Sequence, residues 1–118
     1  MSNRTPDEQA RLDTIERAMT HWHRRELDDY FTLYRPDATL HHTHGDFDVA
    51  GAHLDYLALF DAMPDATVTF DHLLVDGDLV AMNFVLTGTA DDQDVIRRGL
   101  SMLLFDGLQC IERWTSTH

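Results

Sequence analysis

The spacing of the hydrophobic residues changes after Pro64, and this change constrains the fold more than any other feature of the chain. Before it, apolar residues recur every three or four positions, as on one face of an amphipathic helix. After it, apolar and polar residues alternate along residues 67–72 and 80–86, which is typical of half-buried strands. Helices that come first and antiparallel strands that come later predict an α+β fold and argue against a doubly wound parallel sheet.

The first half of the chain is predicted to contain three helices and one strand. Thr5 is the expected N-cap of the first helix, and Pro6 is its first residue. A second, short helix follows, and we expect Pro36 to end it. A strand is then expected from Ala38 to His44, before a third helix from about Ala50 to Ala62.

The second half is predicted to be four strands joined by tight turns. The Asp-Gly pairs within residues 76–78 and 106–109 mark two hairpins, because these residues tolerate the positive φ that such turns require. A polar connection at residues 90–94 joins the two hairpins. The expected order of elements is therefore α-α-β-α-β-β-β-β.

Charge and cysteine content limit the partners and the compartment. The 118 residues have room for one domain, 1–118, with a net charge of −12, nine arginines and no lysine. Such an acidic surface repels phosphate backbones and anionic lipids, so we expect neither nucleic acid nor a membrane as a partner. Cys110 is the single cysteine, and we find no signal-peptide or membrane-spanning run, so we expect a cytoplasmic protein.

Five short strings, in this order and spacing, resemble the nuclear transport factor 2-like superfamily, particularly its SnoaL-like polyketide cyclase and ketosteroid isomerase branches. The strings occupy residues 34–40, 63–66, 75–81, 86–89 and 111–114. The resemblance implies a cone in which a strongly curved antiparallel sheet wraps around three N-terminal helices and encloses an apolar pocket. It also implies a homodimer formed through the outer face of the sheet.

The string Leu40-His41-His42-Thr43-His44 is the most informative for chemistry. On a strand, His42 and His44 share the face of Leu40, which matches an inward position of the family, and His41 is expected in solvent. In the ketosteroid isomerase branch an aspartate base occupies what resembles the His42 position. An imidazole titrates near neutral pH, so His42 is our candidate base. The structural alternative is a histidine bonded to a backbone carbonyl or exposed at the strand end.

Two histidines at positions i and i+2 on a strand also have the spacing of metal ligands. A third ligand could come from His72, from His53 or from a carboxylate. Members of the superfamily mostly work without metal, so we predict no metal and no cofactor, and keep a site at His42 and His44 as an alternative.

Three further residues are catalytic candidates beside His42. His72 shares the strand face of Val68 and Phe70 in a strict alternation, so we expect it in the pocket. Tyr30, or Tyr34 in its place, could offer a phenol to an oxyanion or carbonyl, as tyrosines do in the isomerase and dehydratase branches. The cyclase branch often has an acid/base aspartate at a position that corresponds to Ser101, and serine is a poor proton shuttle without a partner base.

The remaining ligand-binding candidates are aromatic or flanking residues expected on the pocket wall. These are Trp22, Tyr34, His44, Tyr56, Phe70, Phe84, Met102 and Trp114.

Strict alternation also assigns the residues of the last two strands to the two faces of the sheet. It places Cys110, Glu112 and Trp114 on one face, with Glu112 either a buried carboxylate or paired with an arginine, and Cys110 as inert packing. It allows at most one of Arg97 and Arg98 to reach the pocket.

These observations favour a small enzyme that uses cofactor-free acid/base chemistry on a hydrophobic small molecule. Isomerisation, dehydration and aldol-type cyclisation all fit, with His42 as the base. The alternatives are a non-catalytic binding or dimerisation module with the same pocket, and the histidine metal site.

Overall fold

A computed structural model describes residues 4–118. Its helices and strands follow the chain as α1 (Pro6–His23), α2 (Leu27–Tyr30), a 3-10 turn (Phe31–Leu33), β1 (Tyr34–His42), β2 (Gly45–Phe47), α3 (Val49–Ala62), β3 (Thr67–Asp76), β4 (Leu79–Ala90), β5 (Gln93–Asp106) and β6 (Gln109–Thr117).

Helix α1 starts where the sequence predicts. The Thr5 hydroxyl accepts a hydrogen bond from the Glu8 amide at 3.1 Å, and the Glu8 carboxylate accepts from the Thr5 amide at 2.8 Å. This reciprocal capping box satisfies two amides that the helix leaves unpaired. The buried face of α1 follows the helical period through Leu12, Ile15 and Trp22. Within residues 4–118, no helix is both long and apolar enough to cross a membrane.

The fold is α+β, with three helices against an open, curved sheet of six strands in the order β2-β1-β6-β5-β4-β3. Neighbouring strands are antiparallel, except that β1 runs parallel to β6. Helix α1 packs near β3 and α3 near β1, so the helices cover the inner face of the sheet. This architecture confirms the expected fold class.

Three local expectations for the first half are wrong. Pro36 does not end a helix, because the chain is already extended from Tyr34 and Pro36 lies inside β1. The pairing of β1 with β6 shifts register between Tyr34 and Thr39, and such an irregularity accommodates a residue without an N–H donor. Strand β1 begins at Tyr34 rather than Ala38 and ends at His42 rather than His44, and a short strand, β2, follows it.

The predicted turns of the second half are confirmed. Gly77 and Gly107 have φ of 62° in the two Asp-Gly hairpins, where a residue with a side chain would be strained. Between β4 and β5, Asp91 and Asp92 also adopt positive φ of 51° and 61°, which makes the polar connection a two-residue turn.

A bulge in β3 changes which residues face inward. Phe70 pairs with Phe84, but His72 pairs with Asn83, so one extra residue lies between them. An extra residue reverses the alternation, so His72 lies exposed on the outer face and Leu73 turns inward. The expectation that His72 shares the covered face of Phe70 is therefore wrong.

A second bulge, between β5 and β6, has the same effect on the last strand. Phe105 pairs with Cys110, whereas Leu104 pairs with Glu112. Cys110 and Arg113 therefore both face inward, while Glu112 and Trp114 face outward, and the single face expected for Cys110, Glu112 and Trp114 is wrong.

Gly99 lies on the inner face of β5, opposite Phe84, and is buried. A Cβ at this position would lie 2.8 Å from the backbone oxygen of Ser116 and would overlap the Phe84 ring. We expect Gly99→Ala to lower the free energy of unfolding by about 1–3 kcal/mol, as overpacking does, in a urea titration. Ser116→Ala, at an exposed side chain of the same region, is the control and stays within about 0.5 kcal/mol. Equal stability of Gly99→Ala and the wild type would contradict this close approach.

Candidate active site

The helices and the concave face of the sheet enclose a cavity of about 420 Å³. Most of its wall is apolar and comes from α1, α3 and strands β3 to β5. These wall residues are Ile15, Met19, Trp22, Leu33, Leu59, Val68, Phe70, Met82, Phe84, Leu86 and Leu103. A smaller set of polar groups lies among them: Tyr30, His42, Asp55, Tyr56, Arg97, Arg113, Thr115 and Thr117. A mostly apolar hollow with few polar groups is the usual form of a small-molecule site.

Half of the predicted site residues line this cavity. They are Trp22, Tyr30, His42, Tyr56, Phe70 and Phe84. Tyr34 and Ser101 are buried beside it, and both contact Arg113. The structure places His44 exposed in the turn after β1, and His72, Met102 and Trp114 on the outer side of the sheet. The expectation that these four lie in the interior pocket is therefore wrong.

The guanidinium of Arg113 is the centre of the polar part of the cavity. Its Nη1 donates to the hydroxyls of Tyr34 at 2.7 Å and Tyr30 at 3.2 Å. Its Nη2 donates to Ser101 Oγ at 3.0 Å, and its Nε to Thr115 Oγ1 at 3.2 Å. These five residues, which we call the Arg113 cluster, join the end of α2, β1, β5 and β6.

The partners of Arg113 are neutral. Burial raises the pKa of Tyr34 to about 12, against the opposing effect of Arg113, and raises that of Tyr30 further. Burial alone would lower the pKa of Arg113, but the surrounding tyrosine oxygens, Tyr34 first, hold it well above its usual range. At neutral pH the cluster is therefore one positive charge surrounded by protonated hydroxyls.

His42 lies on the same inner face, at the end of β1. Its ring packs edge-on against Phe47, with 5.3 Å between the ring centroids. In the part of the chain that the structure describes, neither ring nitrogen of His42 has a hydrogen-bond partner. Burial lowers the pKa of His42, and the positive charge of Arg113 lowers it further, while Asp55 acts in the opposite direction. The imidazole is consequently neutral at pH 7 and has a lone pair free for a proton.

Sequence reasoning missed two of the charged residues that line the cavity, Arg113 and Asp55. Strict alternation from Cys110 puts Arg113 outside, and no turn residue marks the bulge that brings it in. The helical period could have predicted Asp55, because it lies three, four and seven positions before Ala58, Leu59 and Ala62 and so shares their face of α3, which lines the cavity.

The prediction that no more than one of the Arg97–Arg98 pair reaches the cavity fits the structure. Arg97 pairs with Leu86 on the inner face and lines the cavity, whereas Arg98 faces outward. Asp55 and Arg97 are both exposed, so they lie where the cavity meets solvent.

The outer face of the sheet has a shallower hollow, about 600 Å³ in volume. A row of paired residues crosses it from Leu74 through Ala81, Met102 and Trp114 to His41. This groove is open to solvent and separated from the interior cavity by the sheet.

His41 at the end of that row is not simply solvated, as expected, but bound to two carboxylates. Its Nε2 lies 2.6 Å from Glu112 Oε2 and its Nδ1 lies 2.8 Å from Asp46 Oδ1. The hydrogen bond with Glu112, followed by that with Asp46, raises the pKa of His41. Glu112 is therefore a partly exposed ion-pair partner of a histidine, not the buried carboxylate or arginine partner considered above.

The structure does not place His42 and His44 in a group of metal ligands. Among residues 4–118, the one group of three potential ligands within reach of one another is His21, Glu26 and Asp29, near the end of α1. Cys110 is free and buried, and burial raises the pKa of its thiol to about 11, so it is a packing residue.

The site therefore combines a neutral imidazole without a hydrogen-bond partner in the described chain, a partly buried cation surrounded by hydroxyl groups, and an apolar wall. An imidazole can remove a proton from a substrate carbon, and phenol and guanidinium donors can stabilise the charge that develops on oxygen. No polar side-chain atom buried within residues 4–118 lacks a hydrogen-bond partner.

Comparisons with known proteins agree with this architecture. A protein from Jannaschia sp. CCS1 assigned as a SnoaL-like polyketide cyclase superposes with a TM-score of 0.87 at 20% identity, over 99% of this chain and 91% of its own. AclR from Streptomyces galilaeus, assigned as a hydroxylase, superposes with a TM-score of 0.86 at 18% identity, over 94% of this chain and 90% of its own. IdmH from Streptomyces antibioticus, assigned as a polyketide cyclase, superposes with a TM-score of 0.81 at 22% identity, over 91% of each chain.

No curated protein matches the chain. The SnoaL-like domain family, however, matches residues 15–113, which include both helical walls of the cavity, His42 and Arg113. The chain therefore belongs to the SnoaL-like domain family.

Proposed function

We propose that this protein is an enzyme that uses cofactor-free acid/base chemistry on a hydrophobic small molecule, as an isomerase, dehydratase or cyclase. The observation that most supports this function is that His42, Tyr30 and Arg113 line one apolar cavity. His42 removes a proton from a carbon next to a carbonyl group of the substrate. Tyr30 and Tyr56 donate hydrogen bonds to the carbonyl oxygen as it gains negative charge.

The state of His42 supports its role as a base. A general base must be unprotonated at the working pH, and the low pKa of His42 keeps it so. Neither ring nitrogen is engaged by another described side chain, so the lone pair is free for a substrate proton.

The position of the phenols supports their role as donors. Tyr30 and Tyr56 both line the cavity, and Tyr30 accepts a hydrogen bond from the Arg113 guanidinium. A phenol polarised by a cation is a better donor than a free one, and it is worth more in an apolar hollow than in water. A charge that develops on a substrate oxygen is stabilised by Arg113 through these hydroxyls.

The printed descriptions of the structural neighbours are compatible with this proposal. IdmH and the Jannaschia protein are both assigned as polyketide cyclases, and TerC, at a TM-score of 0.76 and 11% identity, was crystallised with polyporic acid. The alternative is a module that binds a ligand without transforming it, and the dependence of proton exchange on His42 separates the two. The free thiol of Cys110 fits the reducing, cytoplasmic compartment that we propose.

We also propose that two copies associate through the outer face of the sheet. Leu74, Ile96 and Leu100 are more than half exposed there, at 68%, 63% and 55%. Apolar side chains of this size on one sheet face are typical of an interface between subunits. A second copy would cover the row from Leu74 to His41 and leave the interior cavity free.

The role of His42 can be tested by proton exchange on ketone probes. We expect the wild type to accelerate hydrogen–deuterium exchange at the acidic carbon of β-tetralone and related bicyclic ketones in D₂O, followed by NMR. His42→Ala should slow this exchange by about two to four orders of magnitude. His44→Ala, exposed and outside the cavity, is the matched control and retains the rate. If His42→Ala and the wild type are equally fast on every ketone of the panel that exchanges, His42 is not the base.

The pH dependence of the same exchange follows from the charges around His42. Because Asp55 raises the pKa of His42, Asp55→Asn should lower it and move the acid limb of the pH–rate profile to lower pH. We expect the limb of the wild type itself to lie below the ordinary histidine value of about 6.5. Asp61→Asn, exposed at the C-terminal end of α3, serves as the control and leaves the profile unchanged. A limb that moves to higher pH in Asp55→Asn would contradict this assignment.

The proposed dimer can be tested by sedimentation of surface variants. We expect the wild type to sediment as a dimer and Leu100→Glu as a monomer, because two added charges would face each other across an apolar interface. Leu54→Glu changes a leucine that is 68% exposed on α3, away from the outer sheet face, and should remain dimeric. A monomeric wild type at micromolar concentration would refute this interface.

A further inference from the structure

Arg113 is a partly buried cation without an anionic partner among the described residues. All of its described contacts are with hydroxyl groups, those of Tyr30, Tyr34, Ser101 and Thr115. Within residues 4–118, no carboxylate oxygen forms an ion pair with it. Buried charges are usually paired, because an unpaired one loses its hydration without compensation.

The hydrogen-bond count of Arg113 leaves one donor open. A guanidinium has five N–H groups, one on Nε and two on each terminal nitrogen. The two on Nη1 bond to Tyr34 and Tyr30, the one on Nε to Thr115, and one of the two on Nη2 to Ser101. The second N–H of Nη2 has no acceptor among the described residues, and the side chain lines the cavity.

The rest of the cavity does not neutralise this charge. Arg97 is a second cation at its edge, and no described side chain pairs with it. Asp55 is the one carboxylate that lines the cavity in the described part of the chain, and it is exposed. The cavity is thus positive in a protein whose net charge is −12. A positively charged cavity in a negatively charged protein indicates that the ligand is an anion.

We infer that the substrate is an apolar molecule that carries one anionic oxygen, a carboxylate or an acidic enol, which accepts the open N–H of Arg113. This inference rests on the proposed function and names its substrate class. The apolar part of the molecule packs against Trp22, Phe70 and Phe84, and its anionic end lies at the Arg113 cluster. The binding of the anion places the rest of the molecule on the inner face of the sheet, which also contains His42.

The inference is tested by comparing anionic and neutral probes of the same shape by titration calorimetry. Naphthoate and naphthamide form a carboxylate pair, and hydroxynaphthoquinone and its methyl ether form an enol pair. We expect at least one anion to bind the wild type about 10- to 100-fold more tightly than its neutral partner, as a charged hydrogen bond provides. If only the naphthoate pair shows the preference, the substrate class is carboxylates. If only the quinone pair shows it, the class is acidic enols. If both pairs show it, the site accepts any anionic oxygen.

Variants assign the preference to Arg113. Arg113→Met should bind the anion and its neutral partner equally, while Arg113→Lys retains part of the preference because it retains the charge. Arg98→Met, which makes the same change one residue from Arg97 but on the outer face, should keep the wild-type preference. Thermal melting shows whether Arg113→Met is folded, and if it is not, Arg113→Lys and the wild-type probe pairs decide.

Two results would overturn the inference: equal binding of anions and neutral partners by the wild type, or no binding of either anion. Both are distinguishable from a failure of the proposed function. His42→Ala should keep the preference for anions while it loses proton exchange. Loss of the preference with exchange still dependent on His42 rejects the substrate class alone, and exchange that is independent of His42 rejects the function alone.

Discussion

The hydrogen bonds of one partly buried guanidinium organise the interior of this protein. Arg113 reaches the hydroxyls of Tyr30, Tyr34, Ser101 and Thr115 from β6, so three segments that are distant in sequence meet at a single group. A charge inside a protein is tolerated only when it is well hydrogen-bonded, and here neutral oxygens provide those bonds. The same hydrogen bonds hold Tyr30 and Tyr34 in position, and Tyr30 and Arg113 form the polar end of the cavity.

The position of that guanidinium depends on a bulge. Without the extra residue in β6 between the partners of Leu104 and Phe105, strict alternation from Cys110 would turn Arg113 to the outer face. The bulge in β3 has the converse effect and moves His72 out of the cavity. Two single-residue irregularities therefore decide which titratable groups share the hollow with His42.

The fold was largely predictable from the sequence, because hydrophobic period, the capping of α1 and the Asp-Gly turns are local signals. His42, Tyr30, Trp22 and Phe70 line the cavity as expected. Trp22 and Tyr30 lie in helices, and no irregularity separates His42 from Leu40 or Phe70 from Val68. The errors follow from irregular strands. A one-residue slip leaves no mark in composition, yet it reverses the face of every later residue, so His72 and Trp114 were assigned to the wrong side and Arg113 was missed.

The pairing of His41 with Glu112 and Asp46 has a consequence for the edge of the sheet. A neutral imidazole has a single N–H and can donate to only one acceptor, whereas an imidazolium can donate to both. The three-residue strand β2, which leads directly into α3, is thus bound to the sheet by its backbone pairing with β1 and by the hydrogen bond between Asp46 and His41, which depends on the protonation of His41. Since β2 leads into α3, which forms one wall of the cavity, protonation of His41 strengthens the attachment of the strand that precedes that wall.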